Sequence, residues 1–303
     1  MGIRLYKKPE LENPVLIAGW PGIGNIGIIA VDTLRGMVRA EEFGEIESWD
    51  FFYPKKVSIR NGELKDLEFP SNKFYFVKTE KRDLIFFIGE EQPTEGGKVY
   101  AEGTKAYQMA NLVLDVALKF GCGRVYTSGA AVAPIHHTVR PKVWAVPNSE
   151  DLIDEIKSYE NTLLMSDIEG RGGQGAITGL NGLLLGVAKK RGLEAICVMG
   201  EIPVYLQGFP LAYPKASKSV LEVLTVTLGI KIDMQGIAAL VERSESEIER
   251  LYERFPPEIR EELDKLIYVT YAESTEPGPI TDEDKKRILE DIDKFFKKES
   301  KED

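Results

Sequence analysis

Gly22-Ile23-Gly24-Asn25-Ile26-Gly27 is the first cluster in the chain whose residue types and spacing suggest chemistry. It follows the apolar run Val15 to Trp20 and precedes the helix-like IGIIAVDTLRGMV, so a G-x-G-x-x-G spacing stands where a strand turns into a helix. Backbone amides at such a turn can approach a pyrophosphate. The acid expected to close a second strand is poorly placed, because Asp50 is followed at once by Phe51 and Phe52, and Pro21 is unusual just ahead of the fingerprint. Glycines also make tight turns and close helix-to-sheet packing with no ligand at all, and that is the main role expected here.

A second glycine-rich segment, Glu169 to Gly182 (EGRGGQGAITGLNG), carries six glycines and one arginine ahead of a helix. Arg171 and the amides around Gly173 could cradle an anion. The segment lacks the Lys-Ser/Thr ending of a phosphate loop, so a surface loop is the plainer expectation. Two carboxylates close apolar strands, Glu90 in DLIFFIGE and Glu201 in EAICVMGEIP. For Glu201 a hydrogen-bonded structural acid is favoured. Gly22, Gly24, Asn25, Gly27, Glu90, Arg171, Gly173 and Glu201 therefore form the candidate set for a small-ligand pocket at the carboxyl ends of strands.

His136 and His137 are the only histidines. On an extended chain adjacent side chains point to opposite sides, so joint metal ligation is disfavoured, and neither Cys nor a third His lies nearby. No serine or cysteine in a nucleophile setting accompanies them. No catalytic residue, cofactor or metal site is assigned from these residues, and the balance leans away from an enzyme. Cys122 and Cys197 lie in the apolar contexts FGCGRVY and EAICVMG and read as buried free thiols of a reducing cytoplasm.

The elements that must position these groups alternate. Strand patterns at Val15–Trp20, Lys73–Thr79, Asp83–Glu90, Arg124–Ala131, Lys142–Val146, Leu163–Asp167 and Glu194–Ile202 are interleaved with helical stripes at 26–38, 99–120, 180–191 and 214–229. WDFFYP from Trp49 joins the sheet-rich first third, and Asn61-Gly62 marks a type I′ hairpin turn between VSIR and ELKDLEF. Short connections between alternating elements predict a three-layer αβα sandwich with a mostly parallel mixed sheet and a helical appendage at the C-terminal side. The core domain is placed at 1–233 and a helical extension at 234–272, its two stripes separated by a capping box at Ser244–Glu247. A linker follows at 273–280, then an acidic helix and tail at 281–303. That last helix has an apolar side of Ile288, Leu289, Ile292, Phe295 and Phe296, which needs its own body, another subunit or a partner to cover it.

With 303 residues, 43% hydrophobic and 9% aromatic, the chain can bury a full core, which excludes general disorder and a small stapled scaffold. The net charge of −10 is concentrated after residue 233, where 20 acidic face 12 basic residues. Nucleic acid and anionic membrane are therefore not expected as main partners, since both require clustered Lys and Arg. No stretch reads as a signal peptide or a membrane span, and a cytoplasmic location is expected.

Four segments in order, VLIAGWPGIGNIG, YAEGTKAYQMANLVLDVALKFGCGRVYTSGA, GAITGLNGLLLGVAKKRG with EAICVMGEIP, and PKASKSVLEVLTVTLGIKID, resemble the archaeal branch of the proteasome assembly chaperone family over about Pro14 to Asp233. The resemblance implies a sandwich similar to that of purine nucleoside phosphorylases, self-association into homo-oligomers, and binding of proteasome subunits or a related chaperone homologue in place of covalent chemistry. Family members that engage the assembled core are expected to end in a hydrophobic–Tyr–any-residue tail, whereas this chain ends Lys301-Glu302-Asp303. The expected function is an oligomeric, non-catalytic scaffold or chaperone; the competing reading is a nucleoside- or nucleotide-binding, phosphorylase-like enzyme using the glycine loops.

Overall fold

Strands whose successive residues are all apolar must be covered on both faces, and the centre of this sheet is built from such strands. The computed structural model describes residues 2–94, 101–164 and 176–269. These form, in chain order, β1 (Ile3–Leu5), β2 (Val15–Gly19), α1 (Ile26–Met37), β3 (Glu41–Ile46), β4 (Lys56–Arg60), β5 (Glu63–Glu68), β6 (Asn72–Val77), β7 (Leu84–Gly89), α2 (Gly103–Lys119), β8 (Arg124–Ala133), β9 (Val143–Pro147), α3 (Ile153–Lys157), β10 (Thr162–Leu164), α4 (Gly179–Lys190), β11 (Glu194–Pro203), α5 (Pro214–Leu228), α6 (Gln235–Tyr252) and α7 (Pro257–Asp264).

Nine strands join in one mixed sheet, ordered β1-β3-β6-β7-β2-β8-β11-β9-β10. Its centre, β7-β2-β8-β11, is parallel throughout. Towards one side β6, β3 and β1 are added antiparallel. Towards the other, β9 runs antiparallel to β11 and β10 parallel to β9. The two-residue side-chain period sorts each central strand between two cores. Leu16 and Ala18 of β2 and Ala195, Cys197 and Met199 of β11 pack with α2 and α4. Val15, Ile17, Ile196 and Val198 pack with α1, α5 and α6 on the opposite face. The result is the expected three-layer αβα sandwich.

Local chemistry sets the helix ends. Pro214 occupies the first turn of α5, where its missing N–H is no loss, and Gly229 stops the helix in the left-handed conformation at φ +68°. Gly121 does the same after α2, at φ +73°.

Two expectations are corrected. Ser244–Glu247 does not separate two helices: α6 runs unbroken from Gln235 to Tyr252, and Ser244 Oγ donates to Ala212 O at 2.9 Å instead of capping an N-terminus. Tertiary packing of a continuous apolar stripe, with Ile237 and Ile248 buried, overrides the local capping signal. WDFFYP is not a strand; Ser48–Asp50 form a single 3-10 turn. Two further strands do not show in the sequence: β1 at the sheet's edge is only three residues long, and β3 (EEFGEI), between β1 and β6, carries three acids. The linker at 273–280 and the acidic helix with Ile288, Leu289, Ile292, Phe295 and Phe296 lie outside the described residues.

Candidate functional site

Parallel strands deliver their following loops to a single edge, and four loops meet at the carboxyl edge of β2, β7, β8 and β11. Between three of them is an open cleft of 620 Å³. It is lined by Pro21–Asn25 after β2, Glu90–Gln92 and Thr94 after β7, and Gln207, Phe209, Pro210 and Leu211 after β11.

The turn after β2 is held from beneath. Gly24 adopts φ +60° and Asn25 φ +50°, both left-handed, and Tyr213 N donates to Gly24 O at 2.8 Å. A Cβ on Gly24 would stand 2.9 Å from Ile202 Cδ1, so glycine answers two constraints at once. Gln92 clamps the other wall. Its Nε2 donates to Pro21 O at 2.6 Å, and its Oε1 accepts from the backbone N–H of Leu180 at 3.0 Å and of Ala101 at 3.3 Å. One amide side chain thereby ties the first glycine turn to the start of α4. Gln92, Gln207 and Phe209 were not among the sequence candidates; their shared signal is position, just past the end of an apolar parallel strand.

Of the eight candidate pocket residues, Gly22, Gly24, Asn25 and Glu90 come together in this cleft. Gly27 lies behind it and has a packing role: a Cβ there would be 2.2 Å from Ser128 O, so only glycine lets α1 rest on β8. Glu201 is 1% exposed and accepts hydrogen bonds from Trp144 Nε1 and Lys142 N, both at 2.8 Å. Arg171 and Gly173 lie outside the described residues. Burial would raise the Glu90 carboxyl, but hydrogen bonds from Lys55 Nζ at 2.9 Å and Ser71 N at 3.1 Å outweigh it and hold Glu90 below the ordinary carboxylate range. The strand after α1 is β3, which pairs with β1 and β6 instead of β2, and Asp50 follows it in a turn. The second strand of a dinucleotide-binding unit is thus not beside the glycine turn.

The fourth loop carries the histidines, and here too the structure corrects the sequence reading. His136 and His137 do not point apart. A turn closed by Val139 N to His136 O stacks the two rings with centroids 4.1 Å apart, and both are buried. Tyr205 Oη accepts from His137 N at 2.8 Å and lies 2.7 Å from Nδ1. In the tautomer in which Tyr205 Oη donates to Nδ1, Nε2 carries the ring proton and donates to Glu249 Oε2 at 3.2 Å. His136 accepts the backbone N–H of Thr138 on Nδ1 at 3.4 Å, and its Nε2 faces Asp264 Oδ1 at 3.6 Å. Burial first, then the neighbouring His137, push the His136 pKa down against the opposing pull of Asp264 and Glu249. Tyr252 covers both rings and donates to Asp264 Oδ1 at 2.6 Å. Lys215 Nζ bonds His137 O at 2.9 Å and Glu245 Oε1 at 2.9 Å. The pair is a polar seam that fastens α6 and α7 to the sheet edge.

Among the described residues no group of three or more His, Cys, Asp or Glu could hold a metal ion, and no helix is long and apolar enough to cross a membrane. Both cysteines are free and buried.

Comparison with known proteins places this architecture. The PAC2 family profile matches residues 16–252, from β2 to the last residue of α6. A curated protein of Methanocaldococcus jannaschii, uncharacterized protein MJ1210, is 30% identical over 242 residues, 80% of this chain and 84% of that one. Among solved structures, Pyrococcus furiosus PbaB, an archaeal proteasome activator, is 31% identical, with a TM-score of 0.68 covering 82% of this chain and 98% of its own. Mycobacterium tuberculosis Rv2125, a proteasome-assembly chaperone homologue, shares the fold at 20% identity, with a TM-score of 0.62 over 84% of this chain and 99% of its own. With the parallel centre of the sheet, both helical layers and α6 inside the matched span, the chain belongs to the PAC2 family.

Proposed function

We propose that this protein is an oligomeric, non-catalytic scaffold or chaperone that binds proteasome subunits or a related chaperone homologue. The observation that carries the reading is the PAC2 match over 16–252 together with the similarity, at 31% identity, to a structure described as an archaeal proteasome activator. The site chemistry supports it: the cleft's best acid is neutralised by Lys55, Glu201 is spent on Trp144 and Lys142, and the histidines are tied up in a seam. The test is affinity capture with tagged protein from native lysate across a range of salt concentrations. Recovery of proteasome core subunits or a PAC2 homologue at stoichiometric yield supports the reading; recovery of no specific partner at any salt overturns it.

A second reading attaches to the cleft alone, because Gly22, Gly24, Asn25 and Glu90 line one open space. Backbone amides and a carboxylate there suit a small polar ligand such as a nucleoside or phosphate ester. A ligand binding tighter than about 100 μM would raise the melting temperature measurably at millimolar concentration. A flat response across nucleosides, nucleotides and phosphate removes this reading.

A further inference from the structure

Asn-Gly occurs twice in the chain, at Asn61-Gly62 and at Asn181-Gly182, and the fold puts the two pairs in opposite surroundings. Asn61 and Gly62 form the tip of the β4–β5 ribbon, a sheet of its own beside the nine-stranded one. Both residues are exposed, at φ +53° and +81°, the left-handed pair of a type I′ turn. A Cβ at Gly62 would meet nothing within 4 Å. The ribbon beneath this tip is lightly held. Every residue of β5 is exposed, the register shifts between Ser58 and Ile59, and a two-stranded ribbon standing alone is marginal in water. Asn181-Gly182, by contrast, lies in the first turn of α4. Asn181 is 9% exposed, and a Cβ at Gly182 would be 2.1 Å from Ile177 O, so the backbone there is closely packed.

The residue types of the pair allow a reaction within the chain. Glycine leaves its own backbone nitrogen unshielded, and the preceding asparagine carries an amide carbon within ring-closing reach of that nitrogen. Hydroxide takes the Gly62 N–H proton, the nitrogen attacks Asn61 Cγ, the N–Cγ bond forms and the Cγ–Nδ2 bond breaks. Nδ2 leaves as ammonia after taking a proton from water, which returns the hydroxide. Water then opens the succinimide. Addition at Cγ leaves aspartate on an unaltered main chain, whereas addition at the Asn61 carbonyl carbon routes the main chain through Cβ and Cγ as isoaspartate. Ring closure requires the backbone between the two residues to rotate out of the type I′ turn. Such local opening costs least where few buried contacts hold an element, which is the condition of the ribbon tip. In α4 the same rotation would break a helix whose first turn is buried. The products also differ in consequence: Asp-Gly still favours the type I′ turn, but isoaspartate lengthens a two-residue loop that sets the register of β4 on β5.

We propose that Asn61 is a self-modification site, converting through a succinimide to aspartate and isoaspartate in the folded protein while Asn181 keeps its amide. The full chain is aged in mildly alkaline buffer, one sample folded and one unfolded in guanidinium, then digested under acidic conditions and mapped by mass spectrometry. In the folded sample the Asn61 peptide should lose most of its amide, as two separable products, before Asn181 loses a measurable amount. In the unfolded sample both pairs should convert at similar rates. Conversion of Asn181 in step with Asn61 in the folded protein overturns the assignment. So does an Asn61 amide that stays intact in the folded chain while the unfolded chain loses it. A single aspartate product with no isoaspartate beside it overturns the ring-closing route.

Discussion

The α6 helix and the β4–β5 ribbon are both amphipathic additions to one αβα body, yet their apolar faces end up in opposite environments. Ile237 and Ile248 of α6 are buried against α1 and α5, whereas Ile59 and Leu64 of the ribbon are about two-thirds exposed. The helix also has polar fastenings around its apolar stripe: Lys215 to Glu245, His137 to Glu249 and Ser244 to Ala212. The ribbon has Lys55 reaching Glu90 at its base, an exposed ion pair of the kind that contributes little. An apolar face alone thus does not say where an element docks. What distinguishes α6 is a ring of specific polar partners on the body.

The comparison can be broken by making the same truncation in both places. Ile237→Ala, at a fully buried position, should cost about 2–4 kcal/mol of unfolding free energy in denaturant titration. A loss below about 1 kcal/mol would mean that α6 is only loosely seated.

Glu201→Gln comes next. The carboxylate accepts from two donors, and an amide can accept from only one while turning its own N–H₂ toward the other. The expected loss is about 1–3 kcal/mol. A neutral outcome would release Glu201 from the structural role.

Acid should act on the seam. The His136 pKa is lowered by burial and by His137, so between its folded value and the ordinary value near 6.5 the unfolded chain binds the extra proton. Stability contributed by neutral His136 is present above about pH 6.5 and falls away as the pH drops. Denaturant titrations at stepped pH should show a decline that His136→Asn lessens; an equal slope in both proteins would detach the seam from that titration.

The smallest effect is expected at the ribbon. Ile59→Ala should change the stability of dilute protein by less than about 0.5 kcal/mol, as exposed substitutions do. A loss of more than 1 kcal/mol in dilute protein would show that the ribbon is covered within its own chain.

The sequence made the layers legible because a central parallel strand must be apolar at every position, and Val15–Ala18 and Ala195–Met199 state that directly. It made the helix stops legible through Gly121 and Gly229, and the ribbon through Asn61-Gly62. Four of the eight candidate residues fall in the cleft for the same positional reason, since Gly22, Gly24, Asn25 and Glu90 follow parallel strands. The seam was not readable. His136 and His137 face each other because of a turn, and their partners Tyr205, Glu249, Tyr252 and Asp264 are brought in from as far as 128 residues away by tertiary packing alone. β1 was hidden by its three-residue length and β3 by the three acids that interrupt its pattern, and Ser244–Glu247 misled because a local capping pattern cannot outweigh a continuous buried stripe.

Cys197 has no exposure at the middle of β11 and Cys122 has 3% in the turn before β8, with burial pushing their thiols up to about 11 and about 12. Neither sulfur is a nucleophile while the sandwich is closed. Modification by a small alkylating reagent therefore counts openings of the chain, and because one thiol lies in the middle of β11 and the other just ahead of β8, the order in which they are labelled dates which part of the core lets go first.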